Sequence, residues 1–235
     1  MQKITTEFKA PPKKHQPRGL TFLYEDHDIL VVEKASGLLT VGTDRIRDNT
    51  AYFLLNNYVR KGNHKSRNRV FIVHRLDRDT SGVIIFAKNE PTKRILQEQW
   101  QTFHKKYFAV VNGRLPENEG RITSYLAENS AHKMYSTKNK TLGKLAETGF
   151  KVINRSKKHT LLEIELHTGR KNQIRVHLSE KGFPVAGDRV YGKDSKKGKR
   201  LALHSAFLSI THPTTNEPMT FESVIPPYFE TLVKV

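Results

Sequence analysis

Short runs of β-forming residues, separated by only a few turn-forming residues, are the feature that most limits how this chain can fold. The second half of the sequence contains KKYFAVVNGRL, GRITSYL, HKMYSTK, LAETGFKVINRS and HTLLEIEL in close succession. Such short connections favour antiparallel neighbours, because parallel strands need a longer crossover. The first half adds FLYEDHDILVVEKASGLLTV, which predicts strands on either side of a turn at residues 25–28.

Three segments are typical of helices. DNTAYFLLNNYVRKG predicts a helix capped by Asp48 or Asn49, and NEPTKRILQEQWQTFHK predicts one capped by Asn89 with Pro91 in its first turn. The third, KNQIRVHLSEKG, spans residues 171–182. The chain is therefore predicted to be an α+β protein, with a mixed, largely antiparallel sheet and flanking helices.

The composition of the chain and of its first residues indicates its domain organisation and its cellular compartment. Residues 1–18 contain three prolines and five lysines or arginines. They predict a basic flexible arm, either a solvated tail or a segment that contacts RNA. Residues 19–235 are predicted to form one domain. The sequence has no cysteine, no apolar run of membrane-spanning length and no apolar segment of a secretory signal. We therefore expect a cytoplasmic monomer that does not enter a membrane.

The net charge indicates the partner. Lysine and arginine number 41 against 23 acidic residues, which gives a formal charge of +18. Self-repulsion on this scale would destabilise the fold unless an anionic partner uses it. Nucleic acid is the expected partner, since its phosphates attract basic side chains. An anionic membrane would require a basic amphipathic helix, which the sequence does not predict. Two basic loops, residues 60–69 and 193–200, are the leading candidates for phosphate contacts.

Metal and nucleotide cofactors are not predicted. Eleven histidines are present, but none forms the closely spaced helical pair with an adjacent glutamate that is typical of zinc sites. The glycine-rich phosphate loop of nucleotide-binding proteins is missing from the sequence as well.

One polar segment, VHRLDRDTSGVIIFAK at residues 73–88, runs directly into a predicted buried strand. In it Asp77 lies between Arg75 and Arg78, and nearby positive charge favours the ionised carboxylate. An ionised aspartate can act as a nucleophile or a general base. The alternative is a structural aspartate that caps a turn and forms surface salt bridges.

Two further segments have both a functional and a structural interpretation. Tyr107 begins an apolar strand, where it is either a core residue with its hydroxyl at the rim or a platform for base stacking. Arg170 and Arg175 flank a turn that leads into a helix. Together with the side-chain amides of Asn172 and Gln173, these arginines are suited to bind an anion or the edge of a base. The alternative is that they are solvated arginines at an ordinary helix start.

Taken together and in this order, the segments resemble the RluA-type family of RNA pseudouridine synthases. HRLDRDTSG with the strand VIIFAKN is followed by KKYFAVVNG, TGRKNQIRVHL, GFPVAGDRVYG and LALHSAFLSITHP. The resemblance covers roughly residues 20–228. The sequence departs from the family where Ala35 and Ser36 stand in place of a usual proline, and where Asn172 stands in place of a usual histidine. These departures concern substrate preference, since they do not touch the expected catalytic set.

The resemblance implies an isomerase that converts a uridine of structured RNA, either ribosomal or transfer RNA, to pseudouridine without a cofactor. Asp77 would be the catalytic carboxylate, Arg175 would pair with it, and Tyr107 would stack on the target base. Arg75 would fill the gap left by the flipped uridine. The expected RNA-binding side chains are His74, Arg75, Arg170, Lys171, Asn172, Gln173, Arg67 and Arg69.

The resemblance also points to a compact form of the family, since the first catalytic strand is reached by about residue 20. We therefore expect RNA contacts to come from the catalytic domain itself. A non-catalytic RNA-binding or ribosome-assembly protein on the same fold is the alternative. The joint presence of Asp77, Tyr107 and Arg175 favours the enzyme.

Overall fold

The computed structural model describes residues 8–43, 46–192 and 200–234. A short 3-10 helix, Lys13–His15, precedes the first strand. The strands and α-helices that follow, in chain order, are β1 (Leu20–Glu25), β2 (Ile29–Lys34), α1 (Ala51–Arg60), β3 (Phe71–Ile72), β4 (Ser81–Ala87), α2 (Glu90–Glu98), β5 (His104–Asn112), β6 (Glu119–Glu128), β7 (Met134–Thr137), β8 (Lys144–Arg155), β9 (His159–Leu166), α3 (Gln173–Glu180), β10 (Leu203–Thr211), β11 (Pro218–Glu222) and α4 (Pro227–Val233).

The chain divides into two compact units, and the first contains residues 1–103 and 207–223. Its central strand, β2, pairs antiparallel with β1 and with β4, and β11 pairs with the last five residues of β10. Every residue of β4 is buried. This explains the continuous apolar run VIIF, since a strand covered on both faces needs no polar alternation. The core of this unit contains Ile29, Val31, Val83, Ile85, Leu208 and Ile210.

The second unit contains residues 104–206 and 224–235. Within it the strands lie in the order β5-β9-β8-β6-β7, and each neighbouring pair is antiparallel. Helix α3 packs on β7 and β8, and α4 packs on β5 and β9. The predicted α+β class is confirmed. The sheet is mostly antiparallel, and outside its strands an isolated parallel bridge joins Leu39 to Thr50 in the first unit.

Helix boundaries differ from the sequence prediction at two ends. Helix α1 is capped by Thr50, whose hydroxyl accepts a hydrogen bond from Phe53 N at 3.2 Å, so the predicted caps one or two residues earlier were wrong. The cap of α2, Asn89, is confirmed by its bond from Thr92 N at 2.8 Å. This helix ends at Glu98, well before the predicted end, since residues from 104 onwards form strand β5.

The described part of the predicted arm, residues 8–18, contacts the first strand. The side-chain amide of Gln16 donates to Pro11 O at 2.7 Å, and its oxygen accepts from Phe22 N at 3.2 Å. Residues 1–7 lie outside the described residues. The arm over 1–18 and the single domain over 19–235 both stay predictions.

Candidate active site

The segment between β3 and β4 carries the predicted catalytic aspartate, and Lys34 is one of the residues that hold it. Lys34 is fully buried at the end of β2. Its ammonium group donates to the main-chain oxygens of Ala35 at 3.0 Å, Leu38 at 2.8 Å and Arg78 at 3.1 Å. Burying an ammonium is costly unless hydrogen bonds compensate, and these carbonyls supply that compensation. Lys34 therefore ties the Asp77 loop, residues 73–80, to the turn after β2.

The turn after β2 makes two more bonds to the same loop. Ser36 Oγ donates to Asp79 O at 2.7 Å, and Gly37 N donates to Arg78 O at 2.9 Å. Gly37 has a φ of 91°, a conformation that a residue with a Cβ rarely adopts. Ser36 is one of the departures from the family pattern. A proline here would lack this hydroxyl, so the departure reaches the main chain of the loop.

Thr40 fixes the residue that directly precedes Asp77. The hydroxyl of Thr40 donates to Leu76 O at 2.7 Å and accepts from Leu76 N at 3.2 Å. Both side chains are buried. On the other side of Asp77, its carbonyl accepts from Thr80 N at 3.2 Å. The main chain is thus held immediately before and after the half-buried Asp77 side chain.

The charged neighbours of Asp77 differ in their surroundings. Arg75 and Arg78 are exposed, and Arg78 pairs with Asp79 at 3.3 Å. His74 is turned into the unit, where its Nε2 accepts from Ile85 N at 3.2 Å. The imidazole of His74 also stacks on Trp100 with ring centres 4.1 Å apart. We therefore assign His74 a structural part, and Arg75 is the exposed side chain available to a partner.

Tyr107 lies on β5 in the second unit, opposite Ile164 of β9. It is only 8% exposed, and Lys105, two residues earlier on the same strand face, is 5% exposed. Burial lowers the pKa of Lys105 to about 8. Tyr107 thus has the packed ring of a core residue, and the strand places a buried amine beside it.

Arg175 lies on α3 and binds the buried carboxylate of Asp188. The guanidinium Nε is 2.7 Å from one carboxylate oxygen and Nη2 is 2.8 Å from the other, which is a bidentate pair. Val190 N and Tyr191 N also donate to this carboxylate, at 2.9 and 3.0 Å. Burial acts to raise the pKa of Asp188, but the bonds from Arg175 and the main chain outweigh it, so this pKa lies below its ordinary value.

The remaining amides of the α3 region are used by the protein. Gln173 is 2% exposed. Its oxygen accepts from Thr168 Oγ1 and Arg170 N, and its nitrogen donates to Glu147 O and Thr148 Oγ1, at 2.8 to 3.0 Å. These bonds use the full capacity of the amide, so Gln173 holds the start of the helix and has none left for a base edge.

The residues directly before α3 also contact neighbours in their unit. Asn172 takes a left-handed conformation with φ of 53° and donates to Tyr191 Oη at 3.1 Å. Arg170 donates to Leu145 O at 2.9 Å, and Lys171 pairs with Glu128 at 2.6 Å. These contacts orient the three side chains along one edge of the second unit.

The basic loops are described only in part. In the loop 60–69, Arg67 and Arg69 are both exposed, and the guanidinium of Arg69 lies 4.7 Å from the centre of the Phe71 ring. The second loop falls outside the described residues except for Arg200.

The expected catalytic residues are divided between the units. Asp77 belongs to the first, and Tyr107 and Arg175 belong to the second. The pairing of Arg175 with Asp77 stays a prediction. Four supporting residues were not predicted from the sequence: Lys34, Ser36, Thr40 and Asp188. For Asp188 the segment GDRVYG was a usable signal.

Within residues 8–43, 46–192 and 200–234, no group of three histidine or carboxylate side chains is placed to hold a metal ion. In the same ranges, no helix is long and apolar enough to cross a bilayer.

Solved structures share this fold. Human RNA pseudouridylate synthase domain containing 4 has a TM-score of 0.75 and 22% identity, over 92% of this chain and 92% of that one. Human RNA pseudouridylate synthase domain containing 1 has a TM-score of 0.71 and 24% identity, over 94% of this chain and 89% of that one. At these identities the likeness concerns the fold.

Relatives identified by sequence have a higher identity to this chain than these solved structures do. An uncharacterized RNA pseudouridine synthase of Mycoplasma genitalium is 40% identical over 220 residues, which cover 92% of this chain and 70% of that protein. Ribosomal large subunit pseudouridine synthase D of Neisseria meningitidis is 37% identical over 226 residues, and the match spans 90% of this chain but only 59% of that protein. The family model for RNA pseudouridylate synthase matches residues 28–180, a range that contains Asp77, Tyr107 and Arg175. The chain therefore belongs to the RNA pseudouridylate synthase family, and it is an isomerase that acts on RNA.

Proposed function

We propose that this isomerase converts a specific uridine of structured ribosomal or transfer RNA to pseudouridine, with Asp77 as the catalytic carboxylate. In this reaction the bond between N1 of uracil and C1′ of ribose breaks, and a bond between C5 and C1′ forms. The proton on C5 is lost and N1 gains one. Substrate and product have the same composition, so the chemistry needs no oxidant, reductant or group donor.

The observation that carries the proposal is the way the main chain around Asp77 is held. Lys34, Ser36 and Thr40 bind the carbonyls of Arg78, Asp79 and Leu76. A catalytic group must be kept close to its productive geometry, and bonds of this kind remove the freedom of the loop before substrate arrives. A surface turn without a function would gain little from so many buried side chains.

Asp77 acts either as a nucleophile or as a general base in this reaction. Its carboxylate attacks the sugar, attacks the base or takes a proton from the sugar, and these routes remain alternatives. Arg175 is assigned to keep the carboxylate ionised and oriented, since a neighbouring cation favours the charged form. The bidentate bond to Asp188 supports this role, because it fixes the plane of the guanidinium.

Tyr107 and Arg75 handle the flipped uridine. Tyr107 stacks on the target base and takes part in proton transfer through its hydroxyl. Arg75, which is exposed beside Asp77, fills the space that the uridine leaves in the RNA stack. Filling that space lowers the cost of flipping, which is on the order of a few kcal/mol.

RNA contacts are assigned to basic and amide side chains in both units. They are the exposed Arg67 and Arg69 in the first unit, and the exposed Lys171 with the half-buried Arg170 and Asn172 in the second. Gln173 is left out of this set because its amide is used within the protein, and His74 is left out because its Nε2 is bound to Ile85 N and its ring stacks on Trp100. The charge of +18 supports an extended RNA contact.

Mapping of pseudouridine in cellular RNA with and without the protein tests the proposal. We expect at least one uridine of ribosomal or transfer RNA to lose its modification when the gene is deleted. The modification should return with the wild-type protein and not with Asp77→Asn. Identical pseudouridine maps in both strains, together with no product from purified protein on total RNA, would contradict it.

A further inference from the structure

A cavity of about 540 Å³ opens on the first unit beside helix α1. Its volume is within the range of about 300 to 1,000 Å³ that is usual for ligand sites. The side chains that give it its chemical character are Arg47, Tyr52, Phe53, Asn57, Arg60 and Arg69. Of this group, Arg60 and Arg69 fall in the basic loop 60–69 that the sequence marked as a candidate for phosphate contacts.

The cavity carries the positive charge of three arginines. Among the described residues, no carboxylate forms an ion pair with Arg47, Arg60 or Arg69. The Nε of Arg60 is buried and has no hydrogen-bond partner in that part of the chain. That nitrogen is closed to solvent and is not itself a contact for a ligand, but an anion in the cavity would neutralise the charge that the guanidinium carries.

An aromatic ring and an amide complete the same helix face. Phe53, Asn57 and Arg60 are spaced four and three residues apart, so they share one side of α1. Phe53 is 36% exposed although it is a large apolar side chain. Asn57 is exposed, whereas the amide of the neighbouring Asn56 is used by Tyr52 O and Val70 N. An exposed ring beside arginines is typical of a surface on which an unstacked base lies.

The cavity is linked to the Asp77 loop through Thr40. The first turn of α1 is held by bonds from Ala51 N to Leu39 O and from Tyr52 N to Thr40 O. The hydroxyl of Thr40 in turn binds the main-chain N–H and carbonyl of Leu76. Val41, the next residue, lines the cavity. The cavity wall and the catalytic loop are therefore parts of one hydrogen-bonded assembly inside the first unit.

We propose that this cavity is an RNA site that holds a second nucleotide of the substrate strand, outside the stack and apart from the target uridine. Its phosphate lies on Arg47, Arg60 and Arg69, and its base lies on Phe53 with Asn57 at the base edge. This inference rests on the proposed function for the identity of the partner. It adds a position at which the enzyme recognises the sequence or shape around its target.

Binding of substrate RNA across a salt series tests the phosphate part. The Arg47→Gln, Arg60→Gln double variant should reduce the slope of log affinity against log salt by roughly 0.7 or more, since at least one phosphate contact is lost. Arg94→Gln is the matched control: it is an exposed arginine of α2 in the same unit, paired with Glu90 at 3.6 Å. An unchanged slope in the double variant would overturn the proposal.

Stacking of the base on Phe53 is tested separately. Phe53→Ala should weaken RNA binding about 5- to 150-fold, the equivalent of about 1 to 3 kcal/mol for one stacked base, and leave the salt slope unchanged. A photoreactive phenylalanine analogue at position 53 should crosslink to one nucleotide other than the target uridine. Crosslinks scattered over many nucleotides, or formed only with free uridine monophosphate, would overturn the proposal.

If wild-type protein makes pseudouridine and the cavity variants bind RNA as it does, the cavity proposal is wrong and the proposed function stands. If wild-type protein neither binds RNA nor makes pseudouridine, the proposed function itself is wrong. Far-ultraviolet circular dichroism of each variant confirms that the fold is retained.

Discussion

Arg175 and Asp188 form a bidentate ion pair in which both carboxylate oxygens are bound, at 2.7 and 2.8 Å. The Asp188 side chain is completely buried and that of Arg175 is 11% exposed. The ring of Tyr191 lies 5.1 Å from the guanidinium carbon, within the range of a cation–π contact. The plane of the guanidinium is therefore set by its own unit, whatever else Arg175 contacts.

Replacing Asp188 with asparagine should destabilise the protein, because a buried arginine would lose its counter-charge. Loss of one partner of a buried pair costs about 3 to 5 kcal/mol. Urea unfolding followed by fluorescence of Trp100 measures the change. Glu90→Gln is the control, since its pairs with Lys93 and Arg94 lie at the surface and its unfolding midpoint should match the wild type. Equal midpoints for the two variants would show that the buried pair has no special weight.

Asp77→Asn should abolish pseudouridine formation while RNA affinity stays close to wild type. The amide has nearly the same shape, but it is neither a nucleophile nor a base. Asp79→Asn is a matched control in the same loop, because its side chain is 45% exposed and pairs only with the exposed Arg78 among the described residues. Single-turnover assays on a substrate RNA measure both variants. Turnover by Asp77→Asn, or equal loss in both, would contradict the catalytic assignment.

Thr40→Val should reduce both stability and turnover. Valine has the shape of threonine without the hydroxyl, so the buried N–H and carbonyl of Leu76 would each lose a partner. An unsatisfied buried polar group costs about 1 to 3 kcal/mol. The rate of the chemical step should fall more than RNA affinity, since the loop that carries Asp77 is loosened. Thr21→Val on the exposed face of β1 is the control and should leave the rate unchanged.

His177 should make the protein sensitive to acid. It is 1% exposed, and its ring nitrogens lie 2.9 Å from the hydroxyl oxygens of Thr148 and Ser124. Burial lowers its pKa to about 4, whereas the unfolded chain titrates near 6.5. Between these values the unfolded state binds the proton and the folded state does not, so stability is lost as the pH falls from about 6.5 to about 4.

Urea unfolding at several pH values over this range measures the effect. His177→Gln cannot be protonated, so its free energy of unfolding should fall less steeply with acid than that of the wild type. His64→Gln, an exposed change in the basic loop, should keep the wild-type steepness. A His177→Gln curve parallel to the wild-type curve would show that this histidine does not set the acid response.

The fold was predictable because its signals are local. Alternating and continuous apolar runs lie within single strands, and the caps of helices lie within a few residues of the first turn. The errors arose where distant contacts decide. Helix α2 was expected to continue through Trp100, but this ring packs on His74 from the Asp77 loop. Thr50 became a cap because its extended main chain bridges to Leu39.

The candidate catalytic residues could be predicted from the sequence. The side chains that hold the Asp77 loop in place could not. The bonds from Lys34, Ser36 and Thr40 reach carbonyls that are 44, 43 and 36 residues away along the chain. A side chain that binds a distant carbonyl leaves no periodic pattern in a sequence. Gln173 shows the reverse case, since a polar residue at a helix start suggests a ligand but here its amide is used by four protein groups.

Lys34, Ser36 and Thr40 hold the Asp77 loop by its main chain, and this has a consequence for how the enzyme can evolve. A carbonyl oxygen is the same whichever side chain its residue bears. Substitutions at Arg78, whose side chain is exposed, therefore leave those bonds in place. Residue 78 can vary while the main chain that carries Asp77 is inherited unchanged, and this separation makes it the safest position in the loop at which to retarget the enzyme.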